Sequence, residues 1–143
     1  MFYFWYPNMK AKFIFIPLIG FLIANICSCT KAGTGGNATV VCKVFNTDNG
    51  SAPVNGATVY VKYGQSTPPP PTANNSGYDD HKVADANSNS VSFTGLKEGT
   101  YYFYAEGNVG TATAPQMVSG GNAFSLTHAN RNGSSTANIS VMY

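Results

Sequence analysis

Between Ala38 and Gly107 apolar and polar residues alternate with a period of two in several separate stretches, and this limits the fold more than any other feature of the chain. In ATVVCKVFN, Val40, Cys42 and Val44 share one face, with Thr39, Val41, Lys43 and Phe45 on the other. ATVYVKYG repeats the pattern, setting Ala57, Val59, Val61 and Tyr63 against Thr58, Tyr60 and Lys62. YYFYAEG sets Tyr101, Phe103 and Ala105 against Tyr102, Tyr104 and Glu106, and VSFTGL turns Val91, Phe93 and Leu96 inward. Successive side chains on a strand point to opposite faces, so such alternation predicts half-buried strands. HKVADANSNS carries a short strand into a turn, and PQMVSG, NAFSLTH and STANISVMY supply later strands; no amphipathic helical stripe interrupts them. Turn formers break the runs, among them TDNGSAPVNG and KEGT, and the four prolines of QSTPPPPTANNSGY remove backbone donors, which makes residues 65–78 an exposed loop. The prediction is an all-β fold, a seven-stranded antiparallel sandwich over residues 38–143, long enough for one modest core without disulfides.

Composition narrows the function. Charged residues are 10% of the chain, well below the roughly 25% of an average soluble domain. The formal charge of +2 depends on Lys10 and Lys12, which precede an apolar run near the start. Without them six basic residues (Lys31, Lys43, Lys62, Lys82, Lys97, Arg131) face six acidic ones (Asp48, Asp79, Asp80, Asp85, Glu98, Glu106). No basic stripe remains, so the electrostatic term that dominates nucleic-acid binding is missing and nucleic acid is not an expected partner.

The start of the chain reads as an address. From Met9, Lys10 and Lys12 form a positive region, Phe13 to Ile26 an apolar core, and small or polar residues follow. That is the layout of a secretory signal peptide. The apolar stretch is about 14 residues with Pro17 and Gly20 inside it, short of the roughly 20 a spanning helix needs. The aromatic cluster MFYFWYPN ahead of the charges has no place in a signal peptide, so translation is expected to start at Met9.

ICSCTK, residues 26–31, closes that run. Ile26-Cys27-Ser28-Cys29 resembles the lipobox of bacterial lipoproteins, and SCTK after an apolar run is similar to many lipoproteins of the Bacteroidota. The resemblance implies cleavage between Ser28 and Cys29 and lipidation of Cys29. The competing frame, Ala24-Asn25-Ile26-Cys27, puts bulky Ile26 at the cleavage position and fits less well. The implied organisation is a signal peptide over 1–28, a flexible Gly-rich tether over 29–37 and a sandwich over 38–143. Thr30 rather than Asp after the acceptor favours the outer membrane, and the lack of an acid-rich run after Cys29 favours its periplasmic face over the cell surface. Ordinary signal peptidase cleavage and a retained membrane span are the alternatives. Other chemistry for the cysteine pair fails: Cys-x-Cys is too tight for a zinc site, and His81 and His128 are isolated. Cys42 is then the one thiol of the mature chain and reads as a core residue.

Pro53-Val54-x-Gly56-Ala57-x-Val59 and Phe93-x-Gly95-Leu96-x-x-Gly99-x-Tyr101 resemble the carboxypeptidase regulatory-like and collagen-adhesin B-type domains. These share a transthyretin-like (prealbumin-like) sandwich. The resemblance covers residues 38–107 and is weak from Asn108 to Tyr143. It implies turns at Gly56 and Gly99, Leu96 plugging the end of the sandwich, and Tyr101 opening an inward row. Some members of the family form a Lys–Asn isopeptide bond, for which Lys43, Asn138 and Glu106 or Glu98 would be the candidates. Because Lys43 sits opposite the expected core, and such a bond needs a dry site, none is expected.

Functional chemistry is sparse. Asp79-Asp80-His81 with Asp85 lacks the preorganised oxygen set of a calcium loop and reads as a polar loop, and Asp48-Asn49-Gly50 reads as a turn. No Gly-x-Ser-x-Gly elbow, Cys/His pair or histidine cluster supports catalysis, and no cofactor or metal is expected. The outward row Tyr60, Tyr102 and Tyr104 could form a stacking platform for a glycan or a protein partner. The reading is a non-catalytic, lipid-anchored envelope module, structural or binding. The alternative is an adhesin or fimbria-like subunit whose last strand, STANISVMY, completes a neighbour by strand addition.

Overall fold

The computed structural model describes residues 31–111 and 113–143. The expected signal segment, with Ser28 and the expected lipid acceptor Cys29, lies outside them. The eight strands are β1 (Thr34–Asn46), β2 (Ala52–Pro53), β3 (Thr58–Tyr63), β4 (Asp80–Val83), β5 (Ser90–Leu96), β6 (Gly99–Asn108), β7 (Met117–Leu126) and β8 (Ser134–Val141). They form two sheets. In the first, β1 is central, flanked on one side by β5 and the short β2 and on the other by β8; the second runs β4-β3-β6-β7.

The alternation places the core where period two requires. Val40, Cys42 and Val44 from β1, Val59 and Val61 from β3, Tyr101, Phe103 and Ala105 from β6, and Ile139 and Val141 from β8 are all fully buried between the sheets. Phe103 is the hub, with Phe93 of the first sheet 5.5 Å and Phe124 6.1 Å away between ring centroids. Burying a side chain of this kind contributes about 1.5–3 kcal/mol. The inner row of β6 tapers from Tyr101 and Phe103 to Ala105 and Gly107, because Val54 and Ala57 close that end of the sandwich; a Cβ on Gly107 would sit 2.5 Å from Val54 Cγ1. Leu96 is buried at the opposite end. Gly56 has a φ of 68°, the left-handed turn conformation that a side chain disfavours.

Four expectations change. Among the described residues there are eight strands rather than seven; Ala52–Pro53 is a short strand the alternation does not show, and PQMVSG and NAFSLTH are a single strand, because Ser119, Gly120, Gly121 and Asn122 stay in register with β6. The fold is not wholly antiparallel, since β8 runs parallel to β1 from Thr39–Ser134 to Asn46–Val141. STANISVMY is therefore paired within its own chain, and its end is tied to β7 by Ser119 N–H to the Met142 carbonyl (2.9 Å) and the reciprocal bond (3.1 Å). Finally, the expected tether over 29–37 is in part built into the sandwich. β1 starts at Thr34 and bulges at 35–37, so that Thr34 and Ala38 both face Leu96. Ahead of it Ala32 is buried against Gly99, whose φ is 149° and where a Cβ would lie 2.7 Å from the Ala32 Cβ. The Tyr101 hydroxyl accepts from Gly33 N–H at 3.2 Å and lies 2.5 Å from the Lys97 carbonyl, to which it donates. Glycine-rich composition here marks close approach of backbones, which alternation does not reveal.

Candidate functional site

The outer face of the second sheet carries the tyrosines. Tyr60 and Tyr104 are register partners on β3 and β6, with ring centroids 6.1 Å apart. Tyr78, from the end of the proline loop, joins them: it stacks on Tyr104 at 5.6 Å and 16° and tilts against Tyr60 at 5.5 Å. His81 of β4 stacks on the far side of Tyr60 at 5.6 Å and 27°. Tyr102, one turn of the pleat away on β6, stands apart from this stack. Its ring lies across β7, where a Cβ on Gly121 would approach Tyr102 Oη to 2.7 Å and Cε1 to 2.9 Å. A side chain at Gly121 would therefore displace the ring.

The loop over residues 64–79 is a fixed wall. Gly64 N–H donates to the Thr100 carbonyl at 2.8 Å, and Asp79 N–H to the Val61 carbonyl at 2.9 Å, closing both ends on the sheet. Asp79 accepts from Lys62 Nζ at 2.9 Å and from Tyr63 N–H at 2.7 Å. In the middle, Asn75 Nδ2 donates to Glu106 Oε1 at 3.0 Å, the same oxygen that accepts from the Tyr104 hydroxyl at 3.1 Å. Pro69 folds back onto Gly77, where a Cβ would meet it at 3.2 Å. Proline needs no donor partner in such a segment, so the run can stand away from the sheet at no hydrogen-bonding cost.

Two recesses result. One, of about 250 Å³, is bounded by Pro68 to Pro71 on one side and by Tyr78, Tyr102 and Tyr104 on the other, with Gly120 and Gly121 as its floor. The second, of about 340 Å³, lies between Tyr60, His81 and the carboxylates of Asp79 and Asp80. The expected row of three tyrosines is thus divided: Tyr102 and Tyr104 line the first recess and Tyr60 the second. Tyr78 lines both, and sequence reasoning missed it because it sits in a loop without alternation; the available signal was a lone aromatic residue in a polar stretch after the prolines. Burial, then the neighbouring Tyr102, Tyr104 and Glu106, pushes the Tyr78 phenol up to about 12. Burial likewise raises that of Tyr102. Both phenols are neutral donors at ordinary pH, and neither hydroxyl has a hydrogen-bond partner among the described residues.

The remaining candidates have structural duties or stand apart. Asp48 Oδ2 accepts from Tyr143 N–H at 2.9 Å. Lys43 and Asn138 are register partners on β1 and β8 but are exposed on the first sheet, whereas Glu106 lies on the outer face of the second. Cys42 is fully buried and burial pushes its thiol far up.

No protein-family model matches the chain. No curated protein matches it either. Among solved structures, one that matches is the crystal structure of a candidate carbohydrate-binding protein from Pseudomonas aeruginosa. It aligns with a TM-score of 0.52 at 10% identity, over 76% of this chain and 91% of that one. At that identity, what the two share is a β-sandwich fold.

Proposed function

We propose that this chain is a non-catalytic, lipid-anchored module of the cell envelope, built on a transthyretin-like sandwich, that binds its ligand on the outer tyrosine face of the second sheet. The observation that carries the reading is the tyrosine face itself: Tyr78 and Tyr104 stacked beside Tyr102, under a proline wall held by Asn75, Glu106 and Asp79. A rigid loop that holds aromatic rings half-open is a preorganised surface, and preorganisation lowers the entropic cost of binding. The structural neighbour, itself a candidate carbohydrate-binding protein, supports a binding role over a purely structural one. The motifs at Pro53–Val59 and Phe93–Tyr101 support the transthyretin-like assignment.

Lipidation at Cys29 would seat the module close to its membrane, taken here as the periplasmic face of the outer membrane. Ala32, already buried, follows Cys29 by three residues, a span of at most about 11 Å. Labelling cells with a lipid-chain analogue tests this step; Cys29→Ala should lose the label, and equal labelling would remove the anchor.

An array of oligosaccharides and peptides, probed with the full chain in a sugar-free detergent, tests the binding role. The parent should mark a defined set of features, and Tyr102→Ala/Tyr104→Ala should lose them. Signals unchanged in the double variant would move the site elsewhere, and a blank array for the parent would leave a structural role as the better reading.

A further inference from the structure

The recess between the prolines and Tyr102 has a chemistry that selects among ligands. None of its lining residues is charged. The carboxylate of Glu106 lies just beneath, bonded to Asn75 and Tyr104, and opposes any anion that enters. The adjacent recess, by contrast, carries Asp79 and Asp80, and the cleft at the end of the sandwich carries Lys97, Glu98 and Arg131. The walls are a proline run on one side and tyrosine rings on the other, and the space between them is about 250 Å³. That is below the roughly 300–1,000 Å³ of sites that enclose a drug-sized molecule, so the recess admits one ring of a larger ligand.

We infer that this recess takes one pyranose unit of a neutral glycan, laid against the Tyr102 ring and faced by Pro68–Pro71. A neutral pyranose has C–H faces that are apolar and slightly positive, which suits the negative face of a tyrosine on one side and proline methylenes on the other. Its rim of hydroxyls offers acceptors to the Tyr78 and Tyr102 phenols, which have no partner among the described residues. Gly121 is part of the specificity: its missing side chain lets Tyr102 lie down over β7 and leaves the floor flat. An anionic sugar would enter without a cation to meet it and beside Glu106, at a net electrostatic cost. Tyr60, in the neighbouring recess, has no part in this seat.

This inference rests on the tyrosine face being the binding surface, and its test separates the two. Calorimetric titration of the full chain in a sugar-free detergent would use cellohexaose, mannohexaose and xylohexaose as neutral probes, hexagalacturonate as the anionic probe and decaproline as the peptide probe. At least one neutral hexasaccharide should bind, at least tenfold tighter than hexagalacturonate, with little dependence on salt. Tyr102→Ala should weaken that binding at least tenfold, whereas Tyr60→Ala should change it less than twofold. Circular dichroism of each variant confirms that it is folded. Tighter binding of hexagalacturonate or decaproline overturns the neutral-sugar seat while leaving the face as the docking surface. Loss with Tyr60→Ala but not Tyr102→Ala places the sugar in the other recess and overturns this inference alone. No binding by any neutral probe overturns it as well.

Discussion

The two faces of β6 each carry two aromatic residues and put them to opposite use. Inward, Tyr101, Phe103, Ala105 and Gly107 are buried and taper with the sandwich; outward, Tyr102, Tyr104 and Glu106 are half-exposed beside a loop. Tyr101 and Tyr102 are chemically identical neighbours. The first spends its hydroxyl on Gly33 and Lys97 and pins the segment before β1, while the second has a hydroxyl without a partner among the described residues and rests on a glycine. An aromatic residue therefore acts as structure or as surface according to whether its polar end is used inside the fold.

The largest effect expected along this divide is at Phe103. Phe103→Ala removes the ring that joins both sheets and should cost about 3–5 kcal/mol, read as a lower urea midpoint. A loss below about 1 kcal/mol would mean the inner row is not the core. Tyr101→Phe keeps the packing but strips Gly33 N–H and the Lys97 carbonyl of their partner, and about 1–3 kcal/mol should go. Hydrogen exchange at Gly33 should quicken with it; if it does not, the N-terminal segment is held by something other than this hydroxyl.

On the outer face the same kind of change should be mild. Tyr102→Ala should stay within about 1 kcal/mol of the parent in urea, well below the loss at Phe103, while weakening binding at least tenfold. A destabilisation like that of Phe103→Ala would erase the distinction between the two faces. A further effect is confined to alkaline solution. The Tyr78 phenol is raised from 10.0 to about 12 in the folded chain, so the folded state disfavours its ionisation. Its contribution is whole below pH 10, is lost progressively above that as the unfolded chain gives up the proton first, and is gone above about 12. Tyr78→Phe should flatten this decline of stability with pH, and identical pH profiles for the two chains would contradict the assignment. Cys42 supplies a control for both faces: in the native protein this thiol should resist a reagent and react only at the rate of unfolding.

Much of the inner face was legible without coordinates. Val40, Cys42, Val44, Val59, Val61, Val91, Phe93, Leu96, Tyr101, Phe103 and Ala105 are all buried as the alternation requires. The misreadings fall where alternation has nothing to read. Gly33, Gly35 and Gly36 have no side chain to declare a face, so a built-in strand start looked like a tether. Gly120 and Gly121 interrupt one strand in the same way. Tyr60, Tyr102 and Tyr104 were identifiable as an outward row, but their division between two recesses depends on the loop that brings in Tyr78 and the prolines.

By itself, the sequence determined which residues face inward and that strands, not helices, carry them, because side-chain direction along a strand is a local consequence of backbone geometry. It also determined that basic and acidic residues balance over residues 31–143. Only the tertiary structure decided that β8 lies parallel to β1, that the segment after residue 31 belongs to the sandwich, and that a proline loop stands opposite Tyr102. Those outcomes depend on which distant segments meet, and hydrogen bonds such as Asn75 to Glu106 and Gly33 to Tyr101 join residues far apart in the chain, beyond the reach of any local pattern.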